Sequence, residues 1–318
     1  MTSTELHDVT GWLSRVKQGP QPSTIAEVRE YARLAAARAR ATSGSVAAAS
    51  ETDHVIAGPG GELKIRVLRP ATIGPKTATV VYLHGGGWAV GDIDTYLGHA
   101  RRLSSYIGAV VVSVDYRLAP EHRFPAAFED AAAATDWAFA NKADLGGAEG
   151  AFLVAGDGVG GQLAASVAIA RRDAATPLDA QLLLYPATDV AGLYDDASVN
   201  SHYMSRRTVR ATTGLTLQGM VNFASYYVDA PSSADWRVSP MRCANLAGVA
   251  PAVIHTATLD VLRTEGNFYG DALRAAGVLV INREFPTFNH SHFGAEGVPA
   301  VRESAAAQAA DDLAEILG

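Results

Sequence analysis

The stretch that most constrains this chain runs from Ala151 to Arg172. Phe152, Leu153 and Val154 form the short continuous apolar run of a strand buried on both faces. From Leu163 an alanine-rich helix runs to Arg171 and Arg172, whose charges suit its C-terminal dipole. The two are joined by Gly156-Asp157-Gly158-Val159-Gly160-Gly161, a turn too rich in glycine to be a casual linker. Strand, tight turn and helix in that order indicate an α/β architecture, and folds of this class gather ligands at the C-terminal ends of parallel strands.

Gly156, Gly158 and Gly161 also spell the G-x-G-x-x-G of a dinucleotide-binding turn. That fingerprint needs an acidic residue at the C-terminal end of the next strand. Asp179 is the candidate, and it precedes the run Gln181-Leu182-Leu183-Leu184-Tyr185, so it falls at the wrong end. The dinucleotide reading is therefore weak, and no histidine stands in a metal-binding spacing such as H-E-x-x-H.

The remaining chain repeats the same unit. Apolar strands are expected at 78–83, 109–114, 181–185, 252–256 and 279–285, and helices at 96–107, 126–140, 265–276 and 304–317. Ahead of them, Thr52 to Arg69 alternates around Gly58-Pro59-Gly60-Gly61 as an edge hairpin. Residues 1 to about 45 read as helical, with Thr24-Ile25-Ala26-Glu27 as a capping box. Between Pro186 and Pro240 no strand-like run occurs, and Tyr203, Met204, Met220, Phe223, Tyr226 and Tyr227 are scattered through weakly helical sequence. Long insertions after a strand's C-terminal end usually lie over the site they frame. The expected organisation is cap helices over 1–50 and a catalytic domain over 51–318 with a second cap insertion at about 187–238.

Composition narrows the partners. A chain of 318 residues that is 48% hydrophobic and 19% charged holds enough apolar material for one large core. A net charge of −7 offers no basic field for nucleic acid. The amino terminus carries acids without an apolar core of a leader, no run is long enough to span a membrane, and the single cysteine, Cys243, can form no internal disulfide. These features favour a cytoplasmic protein. An exposed sheet edge or the final helix could support a homodimer.

Two further motifs carry chemistry. His84-Gly85-Gly86-Gly87-Trp88 follows the strand Val80-Val81-Tyr82-Leu83, and three glycines there let backbone N–H groups face a cavity, as an oxyanion hole requires. Asp115-Tyr116-Arg117-Leu118-Ala119-Pro120-Glu121 places charges at a strand end before a proline turn, where they are expected to lock the loop.

Together with Ser239-Pro240 and Asp260-Val261-Leu262-Arg263-Thr264-Glu265-Gly266, these motifs resemble the hormone-sensitive-lipase family of bacterial α/β-hydrolase carboxylesterases over roughly residues 50 to 318. The resemblance implies a mostly parallel eight-stranded doubly wound sheet with a helical cap, hydrolysing short or medium acyl esters without a cofactor, and the cap aromatics suggest that the small acyl or carbonyl substrate is mostly apolar. It implies a Ser-Asp-His triad whose acid is Asp260 and whose base is His290, with His292 as a competing phasing. Gly85, Gly86 and Val159 would supply the oxyanion hole. The family's serine position holds Gly158, so esterase activity is expected to be impaired. Three functions follow: an esterase scaffold lacking its serine; a serine-free lyase, dehydratase, cyclase or direct-water hydrolase using His290 and Asp260 as a general base; or a non-catalytic ligand-binding protein.

Overall fold

The computed structural model describes residues 24–42, 48–209, 214–294 and 299–318. The strands are β1 (Ser50–Gly58), β2 (Gly61–Arg69), β3 (Thr79–Leu83), β4 (Val110–Val114), β5 (Phe152–Asp157), β6 (Ala180–Leu184), β7 (Ala252–Leu259) and β8 (Val280–Asn289). They form one eight-stranded sheet in the order β1-β2-β4-β3-β5-β6-β7-β8. The β1–β2 hairpin is antiparallel and β2 runs antiparallel to β4, while every neighbouring pair from β4 to β8 is parallel.

Side-chain alternation along the central strands builds two cores. Val81 and Leu83 of β3, Val110, Val112 and Val114 of β4, and Phe152 and Val154 of β5 face one side, while Val80, Tyr82, Val111, Leu153 and Ala155 face the other. Helices α3 (Ala126–Ala140), α4 (Val159–Asp173) and α6 (Arg263–Ala275) cover the first face; α2 (Leu97–Ile107) and α7 (Pro299–Leu317) cover the second. Burial on both faces explains why these strands read as continuous apolar runs.

Several boundaries differ from the sequence reading. Strand β5 extends to Asp157 and α4 begins at Val159, so the turn between them is Gly158 alone. Strand β8 continues past Pro286 to Asn289, because its ladder with β7 resumes after a bulge at Ala257 and Leu259. Helix α7 starts at Pro299, a first-turn position that proline suits, rather than at Ser304.

Ahead of the sheet, α1 (Ile25–Thr42) opens with the reciprocal capping bonds its sequence promises. Thr24 N–H donates to Glu27 Oε2 at 3.1 Å and Glu27 N–H to Thr24 Oγ1 at 3.2 Å. Arg29 ties this helix down: it donates to the carbonyls of Ala89 and Ala119 at 2.7 and 2.8 Å and pairs with Glu121. The expected helix over residues 1–23 lies outside the described residues. Between β6 and β7 the chain forms 3-10 turns at 191–194 and 231–234, short helices at 197–201 and 204–208, and α5 (Leu217–Tyr227). Buried Arg206 joins this insertion to α6. Its guanidinium donates to the Glu265 carboxylate and the Asp189 carbonyl, and lies 4.3 and 4.2 Å from the ring centres of Tyr194 and Tyr203. Burial pushes the Glu265 carboxyl up to about 7 against the pull of Arg206. Breaking such a buried pair from one side costs roughly 3–5 kcal/mol.

Candidate active site

The turn at Gly158 is backbone-tight on either side and open in the middle. A Cβ on Gly156 would lie 2.1 Å from the Gly160 carbonyl oxygen, and one on Gly160 would lie 2.0 Å from that of Leu83. These glycines are present because strand and helix approach too closely for a side chain. Gly158 adopts φ +56° and ψ −115°, a conformation that strains any other residue. Its N–H donates to the Leu184 carbonyl at 2.9 Å and its own carbonyl accepts from Ala187 N–H at 3.1 Å, so β6 and the segment just after it hold the turn in place. Chain neighbours aside, a Cβ here would meet only the His290 ring among the described residues, 3.4 Å from Nε2 and 3.6 Å from Cε1.

The two other members of the expected triad arrive from β7 and β8. Asp260 is buried at the end of β7, where its Oδ1 accepts Leu262 N–H at 2.9 Å and its Oδ2 bonds His290 Nδ1 at 2.8 Å. With Nδ1 engaged, Nε2 is the nitrogen turned toward Gly158. Burial opposes a charged ring at His290, yet the Asp260 carboxylate outweighs it and holds the imidazole above its ordinary value of 6.5.

The glycine loop after β3 closes the site from the other side. His84 is stacked between Tyr96 and Tyr116 and its Nδ1 bonds the Gly85 carbonyl at 2.7 Å; burial pushes its pKa down to about 4. At the far end, the buried Trp88 indole donates to Gln162 Oε1 of α4 at 2.9 Å and lies parallel to Tyr227, the last residue of α5, with ring centres 4.6 Å apart. Gly86 and Gly87 have φ of +103° and +63°, and a Cβ on Gly87 would fall 2.3 Å from the Phe223 ring of α5. Gly85 departs from its expected use: its N–H donates to Asp157 Oδ1 at 2.9 Å, which also accepts the Tyr82 hydroxyl at 2.6 Å. That bond consumes the Gly85 donor and fastens the loop to the turn. Burial pushes the Asp157 carboxyl up to about 6 despite both hydrogen bonds. Val159 is the first residue of α4, so its N–H has no acceptor within the helix.

Residues 80–294 match the model of a family described by its α/β-hydrolase fold. The chain belongs to the α/β-hydrolase family. It is 38% identical to esterase LipI of Mycobacterium tuberculosis over 258 residues, covering 79% of this chain and 78% of the relative. Carboxylesterase NlhH of the same organism is also 38% identical, over 250 residues covering 76% and 75% of the two chains. A hyperthermophilic esterase from the archaeon Pyrobaculum calidifontis superposes with a TM-score of 0.85 at 32% identity, spanning all of this chain and 98% of that one. This is an esterase-type α/β-hydrolase of the hormone-sensitive-lipase and carboxylesterase branch.

Within this α/β-hydrolase the competing histidine, His292, has different surroundings. Its ring is buried among Tyr185, Phe285 and Phe288, 4.8 to 5.6 Å between centres, and burial pushes its pKa down to about 3. Asp179 accepts Phe152 N–H at 2.7 Å, at the start of β5 and β6 and away from Gly158. Arg117 grips Asp130 with Nε and Nη2 at 2.8 and 2.9 Å, locking its loop as expected. Sequence reasoning missed Asp157, Tyr82, Tyr185 and Gln162. Tyr185 packs edge-on against His290 with centres 4.8 Å apart, and only the pairing of distant strands brings these residues together.

Proposed function

We propose that this site is that of a carboxylic ester hydrolase for small, mostly apolar acyl esters, with Gly158 standing where the nucleophilic serine belongs. The observation that carries the assignment is the aim of residue 158, whose Cβ direction meets His290 Nε2 at 3.4 Å while Asp260 holds Nδ1. In this reading Asp260 orients the imidazole, His290 is the base, and the N–H groups of Gly86, Gly87 and Val159 stabilise the oxyanion. The segment through residue 50 and the insertion at 187–238 act as the cap. With glycine no acyl-enzyme forms, and loss of the nucleophile lowers turnover on the order of 10⁶-fold. Gly158→Ser therefore tests the reading: hydrolysis of short aryl esters should rise by roughly 10⁵- to 10⁶-fold. A folded variant with no gain would overturn it.

A serine-free reaction is the second reading, favoured by the pairing of His290 with Asp260 in a chain without the serine. It predicts a pH–rate profile governed by one histidine-like ionisation that disappears in His290→Ala. Cytoplasmic residence and a homodimer through the edge strand β8, just before which Leu279 is exposed, complete the proposal. Sedimentation of the purified chain tests the dimer.

A further inference from the structure

We propose that the room beside Gly158 receives a small nucleophile, water or a one-carbon alcohol, and that the protein passes an acyl group from an activated ester directly to it. This rests on the ester-hydrolase reading of the site and names its second substrate. The side chain that serine has and glycine lacks is a hydroxymethyl group, the size of methanol. Chain neighbours aside, the only described atoms within 4 Å of the Cβ position belong to His290, whereas the same construction at Gly156 and Gly160 strikes backbone oxygen near 2 Å. The room is therefore local to one residue and opens onto the nitrogen that would take a proton.

The side chain missing at Gly158 sets the choice of nucleophile. The ring of Tyr185 packs edge-on against His290, and the Phe223 ring lies against Gly87 on the loop side. A molecule the size of the missing hydroxymethyl group fits beside His290 Nε2, and selection against a branched alcohol is the outcome the proposal expects. The step balances without a redox partner. The hydroxyl oxygen of methanol bonds to the acyl carbon as His290 Nε2 takes its proton, and the carbonyl oxygen becomes the oxyanion held by Gly86, Gly87 and Val159. The intermediate then expels the aryloxide, which recovers the proton from His290, leaving a methyl ester and a phenol. With water in place of methanol the product is the free acid. No covalent enzyme intermediate occurs on either route.

The test uses the full-length protein with an aryl acetate and graded methanol, reading methyl acetate by gas chromatography beside phenol release. Methyl acetate formation should saturate with methanol and exceed ester formation from propan-2-ol by about tenfold or more. His290→Ala should lower it by roughly 10²-fold or more. Gly158→Ala, which fills the room with an inert methyl, should do the same, with circular dichroism and thermal melts checking that it folds. Should Gly158→Ala fail to fold, His290→Ala still decides. Ester formation that is linear in methanol and unchanged by His290→Ala overturns the proposal. If Gly158→Ser gains hydrolysis while the parent makes no methyl acetate, the inference falls and the ester-hydrolase reading stands. If neither reaction occurs in folded protein, both fall.

Discussion

His290 and His292 stand two residues apart, yet they occupy opposite environments. His290 is partly exposed and bonded to a buried carboxylate that raises its pKa; His292 is enclosed by aromatic rings that push its pKa to about 3. Both are buried enough to pay a desolvation penalty, so burial alone does not separate a base from a packing residue. The partner does. Asp260 turns the same imidazole into a group able to accept and hold a proton near neutral pH, and without such a partner His292 stays neutral throughout the working range.

The sharpest way to break this contrast is to remove each ring in the Gly158→Ser background. His290→Ala should abolish the restored ester hydrolysis, a loss on the order of 10⁶-fold, while His292→Phe should stay within about threefold. Equal losses would erase the distinction. Next in size, Asp260→Asn should cost about 10⁴-fold in kcat. It should also move the acid limb of kcat/KM: with Asp260 present, activity falls as pH drops through a His290 midpoint above 6.5, and without the carboxylate that midpoint should shift downward. An unmoved limb would mean that Asp260 does not set the ionisation.

A smaller loss, roughly 10- to 100-fold, is expected for Asp157→Ala in the same background, because the Gly85 N–H and Tyr82 hydroxyl lose their acceptor and the glycine loop loosens. Unchanged kcat would show the loop to be held by His84 and Trp88 alone. The smallest effect concerns stability. His292 has a folded pKa below its unfolded one, so between about 6.5 and 3 the unfolded chain binds the extra proton and stability falls as pH falls. By pH 5 this amounts to at most about 2 kcal/mol. His292→Phe should flatten that part of the curve in denaturant titrations at pH 7.5 and 5; an unaltered slope would contradict the buried neutral ring.

Much of this was legible in the sequence because the strands are buried on both faces and declare themselves as apolar runs. Gly158 and Asp260, which follow such runs, could be placed from that register. What could not be read were contacts between strands. Gly85 looked like an oxyanion donor until β3 and β5, side by side in the sheet, set its N–H on Asp157. The choice between His290 and His292 likewise needed the course of β8 beyond Pro286, which a proline in an apparent strand end conceals.

Trp88 joins three parts that the chain keeps far apart. Its indole is bonded to α4 through Gln162 and stacked face to face on Tyr227 of α5, one residue beyond the glycine loop. If α5 swings outward, it uncovers one face of that ring and slackens the loop beside it. On the proposed ester-hydrolase reading, the molecule would then not be open to solvent and ready to stabilise an oxyanion at once. Closure and chemical competence would become a single event in that reading, one that a shift in tryptophan emission would report.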